Sequence, residues 1–243
     1  HRIRGSRILP GAMSLELVHK AASEKVQGDG SPLVLSNVTW RRPVELDSGE
    51  MDLRVRLSET GEQAWSFRLT ADDGAQADYM RGTIGIADED SLSPHMDLET
   101  LKQSCRTEHD PDWLYASYAA LGIDYGPAFR VITELKSGNN DVLARLQLPR
   151  AADVEGGDFV LHPSLIDAAF HAALVCLSGD GATGPALPFG IDRMEILGPT
   201  AKTMWAHLRT ASSANGIHKL DIDLADDTGR VCVRIEGFSL RRL

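Results

Sequence analysis

The stretch that decides the fold is HPSLIDAAFHAALVCL, residues 162–177. It is apolar along most of its length, and a proline at its second position suits the first turn of a helix. Four strand-like runs follow it, at residues 192–197, 204–210, 218–226 and 230–243. A helix followed by strand-like runs with turn residues between them predicts an antiparallel sheet packed against that helix.

The first half of the chain repeats this order. Residues 12–26, AMSLELVHKAASEKV, place apolar side chains at helical spacing and charged side chains on another face. Strand-like runs follow at residues 33–46, 51–59, 64–73 and 77–88. LTADDGAQADYMRGTIG (69–85) also echoes LADDTGRVCVRIEG (224–237). The pattern predicts an internal duplication, with a chance likeness of two hairpins as the alternative.

A polar segment with two prolines, residues 88–111, separates the two halves. We therefore predict a first half over residues 1–90, a linker over 91–111 and a second half over 112–243. The alternative is that the polar segment is a long surface excursion of a single domain.

Composition excludes several classes of protein. The formal net charge of -10 over 243 residues argues against a nucleic-acid groove and against an anionic membrane surface. The longest strongly apolar run has about ten residues, too short to cross a bilayer. Three distant cysteines (Cys105, Cys176 and Cys232) form no CxxC pair and no zinc spacing, which predicts free thiols in a reducing compartment.

The N-terminal stretch HRIRGSRILPG, residues 1–11, combines a titratable ring with a Pro-Gly step. Gly5 permits a close backbone approach or a bulge. The Pro-Gly step leads into the first helix and leaves amide N–H groups near Gly11 free to meet an oxyanion. The stretch therefore offers His1 as a base beside an oxyanion site. A surface histidine near a terminus is the alternative.

Two further stretches carry candidate chemistry. Asp167 lies among apolar residues of the second helix, where a carboxylate is costly to bury unless it is paired or protonated. His171, four residues on, shares its helix face, so the two side chains can hydrogen-bond or form a merely structural pair; His162 is expected to cap the helix. In LYASYAALGIDYGPAFRVI (114–132), a short helix ends and Tyr125 offers a phenol beside Gly126. A packed turn tyrosine is the alternative there.

Together these stretches resemble a known family, the polyketide synthase dehydratase domains. His1, Gly5 and Pro10 match its HxxxGxxxxP pattern. Three other segments match its recurrent motifs in the same order: LGIDYGPAF (121–129), HPSLIDAAFH (162–171) and LPFG (187–190). The resemblance covers almost the whole chain and implies an α+β double-hotdog fold, with one active site between the two halves. Family members usually have further chain before this histidine, so part of the first half is expected to be missing.

The resemblance also implies an activity. It identifies a hydro-lyase that removes water from a 3-hydroxyacyl thioester, with His1 as catalytic base and Asp167 as catalytic acid. Gly11, Tyr125, Gly126 and His171 are the expected substrate-binding residues. No metal or redox cofactor is expected, because the thioester already acidifies the α-proton. The substrate is expected to be tethered through the phosphopantetheine of an acyl carrier protein.

The same resemblance predicts partners and leaves rival activities open. We expect the acyl carrier protein and neighbouring synthase domains as partners, with a homodimer allowed, in the cytoplasm. A small basic patch of Arg41, Arg42 and Arg130 is the expected carrier contact. The alternatives on the same fold are a double-bond isomerase, a cyclic-ether-forming domain, a thioester hydrolase and a catalytically silent scaffold domain. The presence of both His1 and Asp167 argues against the isomerase and the silent domain.

Overall fold

The structure is a computed structural model that describes residues 1–26, 32–47, 49, 51–71, 78–87, 94–149, 159–177, 186–214 and 216–242. Its helices are α1 (Gly11–Val26), α2 (Leu98–Ser104), α3 (Pro111–Ala120) and α4 (Pro163–Leu177), with a short 3-10 helix at Pro127–Phe129. Its strands are β1 (Arg2–Ile3), β2 (Ser6–Arg7), β3 (Leu33–Trp40), β4 (Leu53–Gly61), β5 (Ala64–Ala71), β6 (Asp78–Ile86), β7 (Thr107–Glu108), β8 (Ile123–Asp124), β9 (Ile132–Ser137), β10 (Asp141–Gln147), β11 (Ala186–Ile196), β12 (Thr203–Ala214), β13 (Ile217–Ala225) and β14 (Val231–Arg242). None of the helices in these ranges combines the length and apolarity that a membrane-spanning helix requires.

Eleven strands form one antiparallel sheet in the order β4-β5-β6-β3-β11-β14-β13-β12-β10-β9-β7. In the first half α1 packs against β3, β4 and β5, and in the second half α4 packs against β9, β10, β12 and β13. Strands β3 and β11 pair with each other and so join the two half-sheets. Each half is therefore a helix wrapped by an antiparallel sheet, which confirms the α+β double hotdog.

Helix α4 forms the centre of the second half. Nearly all of its residues are buried, because its apolar sequence lies inside the curved sheet. Phe170 stacks on Phe238 of β14 with ring centroids 4.2 Å apart and planes inclined by 12°. Helix α1 also contacts α4, so the two helices lie side by side across the junction of the halves.

A second, three-stranded sheet has the order β2-β1-β8 and ties the N-terminus to the second half. Arg4 and Gly5 form the turn between β1 and β2 with φ of 49° and 92°. Positive φ at both central residues is the conformation of a type I′ hairpin turn. The expected bulge or close approach at Gly5 is therefore wrong: a Cβ there would meet nothing within 4 Å, and the backbone angle is what favours glycine.

The described part of the predicted linker, residues 94–111, contains α2 and the short strand β7. Met96, Leu98 and Cys105 are buried there against Trp205 of β12, in a hydrophobic cluster separate from the main core. This segment therefore packs on the second half instead of running freely between the halves. Cys105 is a free thiol, as are Cys176 and Cys232.

Candidate active site

The structure brings together the imidazole of the first half and the carboxyl group of the second. His1 Nε2 lies 2.9 Å from Asp167 Oδ2, and His171 Nε2 lies 2.5 Å from the same oxygen. The side chains of His1 and Asp167 are each 8% exposed, and that of His171 is 3% exposed. The spatial convergence expected from the sequence is therefore present in the fold.

The short sheet explains how His1 reaches this position. Strand β1 pairs with β8, so that Arg2 lies opposite Asp124. His1 then lies beside Tyr125, the residue that follows β8. Its ring meets the rings of Tyr125 and Phe129 edge-on, with centroids 4.7 and 4.6 Å away. Because aromatic rings favour edge-to-face contact, these two rings orient the imidazole toward α4.

The start of α4 is held by three groups around His162. The N–H of Ser164 donates to His162 Nδ1 over 3.3 Å, and the main-chain carbonyl of His162 accepts from Leu165 and Ile166. His162 thus caps the helix, as predicted. Asp167 and His171 follow one turn apart, which places both on the same face of α4.

Glu16 of α1 connects the first half to the segment that leads into α4. Its carboxylate is 3% exposed and accepts hydrogen bonds from the N–H groups of Val160, over 3.3 Å, and Leu161, over 2.8 Å. Burial raises the pKa of this carboxyl above its usual 4.5, although the two N–H donors act in the opposite direction. In the sequence Glu16 belongs to the charged face of residues 12–26, and the structure shows it buried there because the segment that enters α4 covers it.

Three phenols surround His171. Tyr125 lies closest, with ring centroids 3.8 Å apart, and Tyr118 and Tyr115 of α3 lie 5.7 and 5.9 Å away. The hydroxyl of Tyr118 donates to the main-chain carbonyl of His171 over 3.0 Å. The sequence predicts a role for Tyr125 but not for Tyr115 or Tyr118. Their spacing of three residues on the short helix was the available signal.

Burial raises the pKa of all three phenols. That of Tyr115 rises to about 12, mainly by desolvation. Those of Tyr118 and Tyr125 rise well above 10 for the same reason, with a further contribution from the charge of Asp167. The phenols therefore stay protonated at neutral pH, so that each hydroxyl group keeps a proton that it can donate.

A cavity of about 360 Å³ lies beside the N-terminus of α1. Gly11 and Trp40 both line it, and a Cβ on Gly11 would come within 3.1 Å of the Trp40 indole nitrogen. That nitrogen is buried and has no hydrogen-bond partner among the described residues. The amide N–H groups of Gly11 and Ala12 likewise donate to no other described residue. Trp40 is not predicted from the sequence, because it resembles an ordinary core aromatic.

Gly126 and the three arginines occupy different surroundings. Gly126 is exposed at the start of the 3-10 helix, and a Cβ on it would meet nothing within 4 Å. Arg130 donates from Nε to the carbonyl of Tyr125 over 2.9 Å and so supports the active-site loop. Arg41 and Arg42 are exposed and line the cavity beside α1. Of the expected basic patch, Arg41 and Arg42 therefore line the cavity, whereas Arg130 is bonded to the loop at Tyr125.

Comparisons with known proteins agree with this architecture. The family profile described as "Polyketide synthase dehydratase N-terminal domain" matches residues 93–243, and that described as "Polyketide synthase dehydratase domain" matches residues 1–72. The chain is 32% identical to the polyketide synthase PksN of Bacillus subtilis, a match covering all of this chain and 4% of the relative. Its identity to the polyketide synthase ThaG of Burkholderia thailandensis is also 32%, over 98% of this chain and 4% of the relative. The chain thus spans a small fraction of the length of these curated relatives.

Solved structures show the same fold. A trans-AT polyketide synthase dehydratase domain from Brevibacillus brevis superposes with a TM-score of 0.90 at 27% identity, covering 100% of this chain and 88% of that one. The dehydratase domain of RzxB from Pseudomonas fluorescens gives 0.87 at 27% identity, covering 99% and 88%. On the extent of the family matches and the shared fold, the chain belongs to the polyketide synthase dehydratase domains.

Proposed function

We propose that this chain removes water from a 3-hydroxyacyl thioester, carried on an acyl carrier protein, to give the 2-enoyl thioester. The observation that carries the proposal is the 2.9 Å contact between His1 Nε2 and Asp167 Oδ2 across the two halves. One group that accepts a proton and one that donates a proton are what the elimination requires, and buried aromatic rings keep bulk water from them.

His1 acts as the base in this proposal. Its neutral Nε2 takes a proton from C2 of the substrate, which the thioester carbonyl makes acidic. Negative charge then develops on the thioester oxygen. The free N–H groups of Gly11 and Ala12 at the start of α1 are the donors we assign to that oxygen, because a helix N-terminus favours negative charge.

Asp167 acts as the acid. In its protonated form it gives a proton to the C3 hydroxyl group, and the C3–O bond breaks to release water. His1 then holds one proton more and Asp167 one fewer than at the start. Since the two atoms lie 2.9 Å apart, the proton passes from His1 back to Asp167 after the product leaves.

Tyr125 and His171 orient the substrate hydroxyl and the carboxyl group of Asp167. The exposed backbone at Gly126 leaves room for the acyl chain beside them. These steps use only groups of the chain and the thioester itself, so the proposed reaction requires no metal or redox cofactor.

The carrier protein and the neighbouring synthase domains are the proposed partners. The cavity beside α1 is lined largely by apolar side chains, which suits the pantetheine arm. Exposed Arg41 at the same cavity provides a cation for the phosphate of that arm. Because the chain spans only a small part of its curated relatives, further domains are expected beside it in the synthase.

The test uses a purified 3-hydroxyacyl thioester on a carrier protein and follows its mass. We expect the unaltered chain to produce a loss of 18 mass units, and His1→Ala and Asp167→Asn each to lower the rate at least about 10²-fold. The exposed residues His95 and Asp52 supply matched controls, since His95→Ala and Asp52→Asn make the same chemical changes away from the site.

Full activity in either active-site variant, with circular dichroism unchanged, contradicts the assignment. Release of free acid indicates a thioester hydrolase. A ring formed from a substrate with a distal hydroxyl group, without accumulation of the alkene, indicates a cyclic-ether-forming domain. A shifted double bond without loss of water indicates an isomerase.

A further inference from the structure

Three buried atoms of the active site face one another without satisfied hydrogen bonds. His1 Nε2, Asp167 Oδ2 and His171 Nε2 lie at contact distance, yet none has a partner in hydrogen-bond geometry among the described residues. Leaving a buried polar atom unpaired destabilises the folded chain. Three such atoms within 4.8 Å of one another create a site where a small cation gains three ligands at once.

We propose that His1, Asp167 and His171 bind a zinc ion, and that the bound ion blocks the active site. The three ligand atoms lie within 4.8 Å of one another. Two imidazole nitrogens and one carboxylate oxygen are a common zinc ligand set, with a fourth position left for water. Tetrahedral zinc with bonds of about 2.0–2.1 Å separates its ligands by about 3.3 Å, so side-chain movements of about 1 Å suffice.

Binding and turnover are mutually exclusive for a chemical reason. Coordination uses the lone pair of His1 Nε2, the pair that accepts the C2 proton in the proposed reaction. It also keeps Asp167 ionised, so that no proton remains for the departing hydroxyl group. The binding site itself stands on the geometry, whereas the loss of turnover rests on the proposed function.

A second imidazole and carboxylate pair in the chain serves as a comparison for the proposed zinc site. His207 Nε2 lies 3.2 Å from Asp141 Oδ2, also a partly buried imidazole and carboxylate. There the other ring nitrogen contacts the guanidinium of Arg209 at 2.8 Å, a cation that repels a metal ion. Within the described ranges, only the cluster of His1, Asp167 and His171 brings three ligating residues this close together.

The experiment measures metal binding by the tag-free, metal-stripped chain. Titration of zinc against a competing chromogenic chelator should give one ion per chain. Asp167→Asn and His171→Gln should each weaken binding at least about 10-fold, the lower bound for loss of an outer-sphere partner. His207→Asn should leave the affinity unchanged. Cobalt in place of zinc should give the visible absorption of a tetrahedral site, and both Asp167→Asn and His171→Gln should lose it.

The proposal is overturned if the chain does not bind one zinc ion. It is also overturned if folded Asp167→Asn and His171→Gln bind zinc as tightly as the unaltered chain. A loss of zinc affinity in His207→Asn as large as that in Asp167→Asn and His171→Gln overturns it too. The outcome is separable from that of the proposed function. Zinc bound at these residues in a chain that never dehydrates any thioester refutes the function alone. Dehydration that proceeds unchanged at saturating zinc refutes the claim that the bound ion blocks the active site, and leaves the proposed function intact.

Discussion

The hydroxyl group of Tyr125 donates no hydrogen bond to another described residue, although its ring lies against His1 and His171. The hydroxyl of Tyr118, by contrast, is bonded to the carbonyl of His171. Two neighbouring phenols therefore differ in what their hydroxyl groups do. That of Tyr118 holds α4, whereas we propose that of Tyr125 as a donor to the substrate.

This difference gives a paired prediction. Tyr125→Phe should lower kcat about 10²-fold, since one donor to the reacting groups is lost, with Tm almost unchanged. Tyr118→Phe should lower the free energy of unfolding by about 0.5–1.5 kcal/mol, since an internal hydrogen bond is lost. Steady-state kinetics and thermal denaturation of both variants check this. Equal effects of the two substitutions on Tm would contradict the assignment.

At this scale the sequence identified the residues with distinctive chemistry. His1, Asp167, Tyr125 and His171 stood out because polar or titratable groups were set among apolar or turn residues. Trp40 and the tyrosines of α3 did not stand out, because an aromatic residue in a folded core and one facing a cavity have the same sequence pattern. Only the fold shows which of them has an unused polar atom.

At the scale of elements, the contact between α1 and the entry to α4 is the most informative. Glu16 accepts hydrogen bonds from two main-chain N–H groups that are more than 140 residues away in sequence. Because these donors immediately precede the segment that carries Asp167, Glu16 fixes where α4 begins relative to the first half.

Two replacements of Glu16 should separate the contribution of its hydrogen bonds to stability from that of its buried charge. Glu16→Ala leaves both N–H groups without their acceptor and should cost at least about 2 kcal/mol of unfolding free energy. Glu16→Gln keeps an acceptor oxygen and removes the buried charge, so its cost should be clearly smaller. Chemical denaturation at pH 7 provides the measurement. A larger loss in Glu16→Gln than in Glu16→Ala would show that the charge itself stabilises the contact.

A comparison of the unaltered chain with Glu16→Gln should also show a pH dependence of stability. Because burial raises the pKa of the Glu16 carboxyl, the folded chain holds that proton to a higher pH than the unfolded chain. The associated stability is present below about pH 4.5 and is lost as pH rises through the folded pKa. The stability of the unaltered chain relative to Glu16→Gln should therefore fall with rising pH. His19, whose pKa is lowered by burial, is present in both proteins.

The principal elements were predictable and the smallest ones were not. Helices α1 and α4 carry enough residues for their apolar spacing to be recognised. Strands β1, β2 and β8 have two residues each, too few for any alternation, so the sheet that positions His1 had no sequence signal. Likewise, the sequence predicts a bulge or close approach at Gly5, whereas the structure has a type I′ turn at Arg4 and Gly5.

At the scale of the whole molecule, the junction between β3 and β11 determines whether the halves form one body. Gly190 lies opposite Thr39 at this junction. A Cβ on Gly190 would come within 2.8 Å of the Val38 carbonyl oxygen. Close approach of the two backbones, and not a special backbone angle, is therefore what requires glycine in the LPFG segment.

Gly190→Ala should cost about 1–3 kcal/mol of unfolding free energy, because neither backbone can move without disturbing the pairing. Gly85 of β6 supplies the matched control, since a Cβ there meets only the Gln63 carbonyl oxygen at 4.0 Å. Gly85→Ala should be neutral or should stabilise the chain by about 0.4–1 kcal/mol. Thermal denaturation should show a shift of about 2–4 °C per kcal/mol. A higher Tm for Gly190→Ala than for Gly85→Ala would contradict the close-contact argument.

The strand order of the large sheet was beyond the reach of the sequence analysis. The duplication predicted two helix-and-sheet units, but nothing local to β3 or β11 indicates that they pair with each other. Pairing between strands so distant along the chain depends on the shapes of both finished halves. The family resemblance supplied the two-fold architecture, whereas Glu16 and Gly190, which hold it together, emerged only from the structure.

The junction also affects biosynthesis. Residue 39 pairs with residue 190, so one edge of β3 has no partner until the ribosome has made most of the chain. At about 5–20 residues per second this wait lasts roughly eight to thirty seconds. During that time the nascent first half exposes an open strand edge, which other unfinished chains on the same messenger can capture. Expression yield and chaperone demand should therefore depend on translation speed between these two strands.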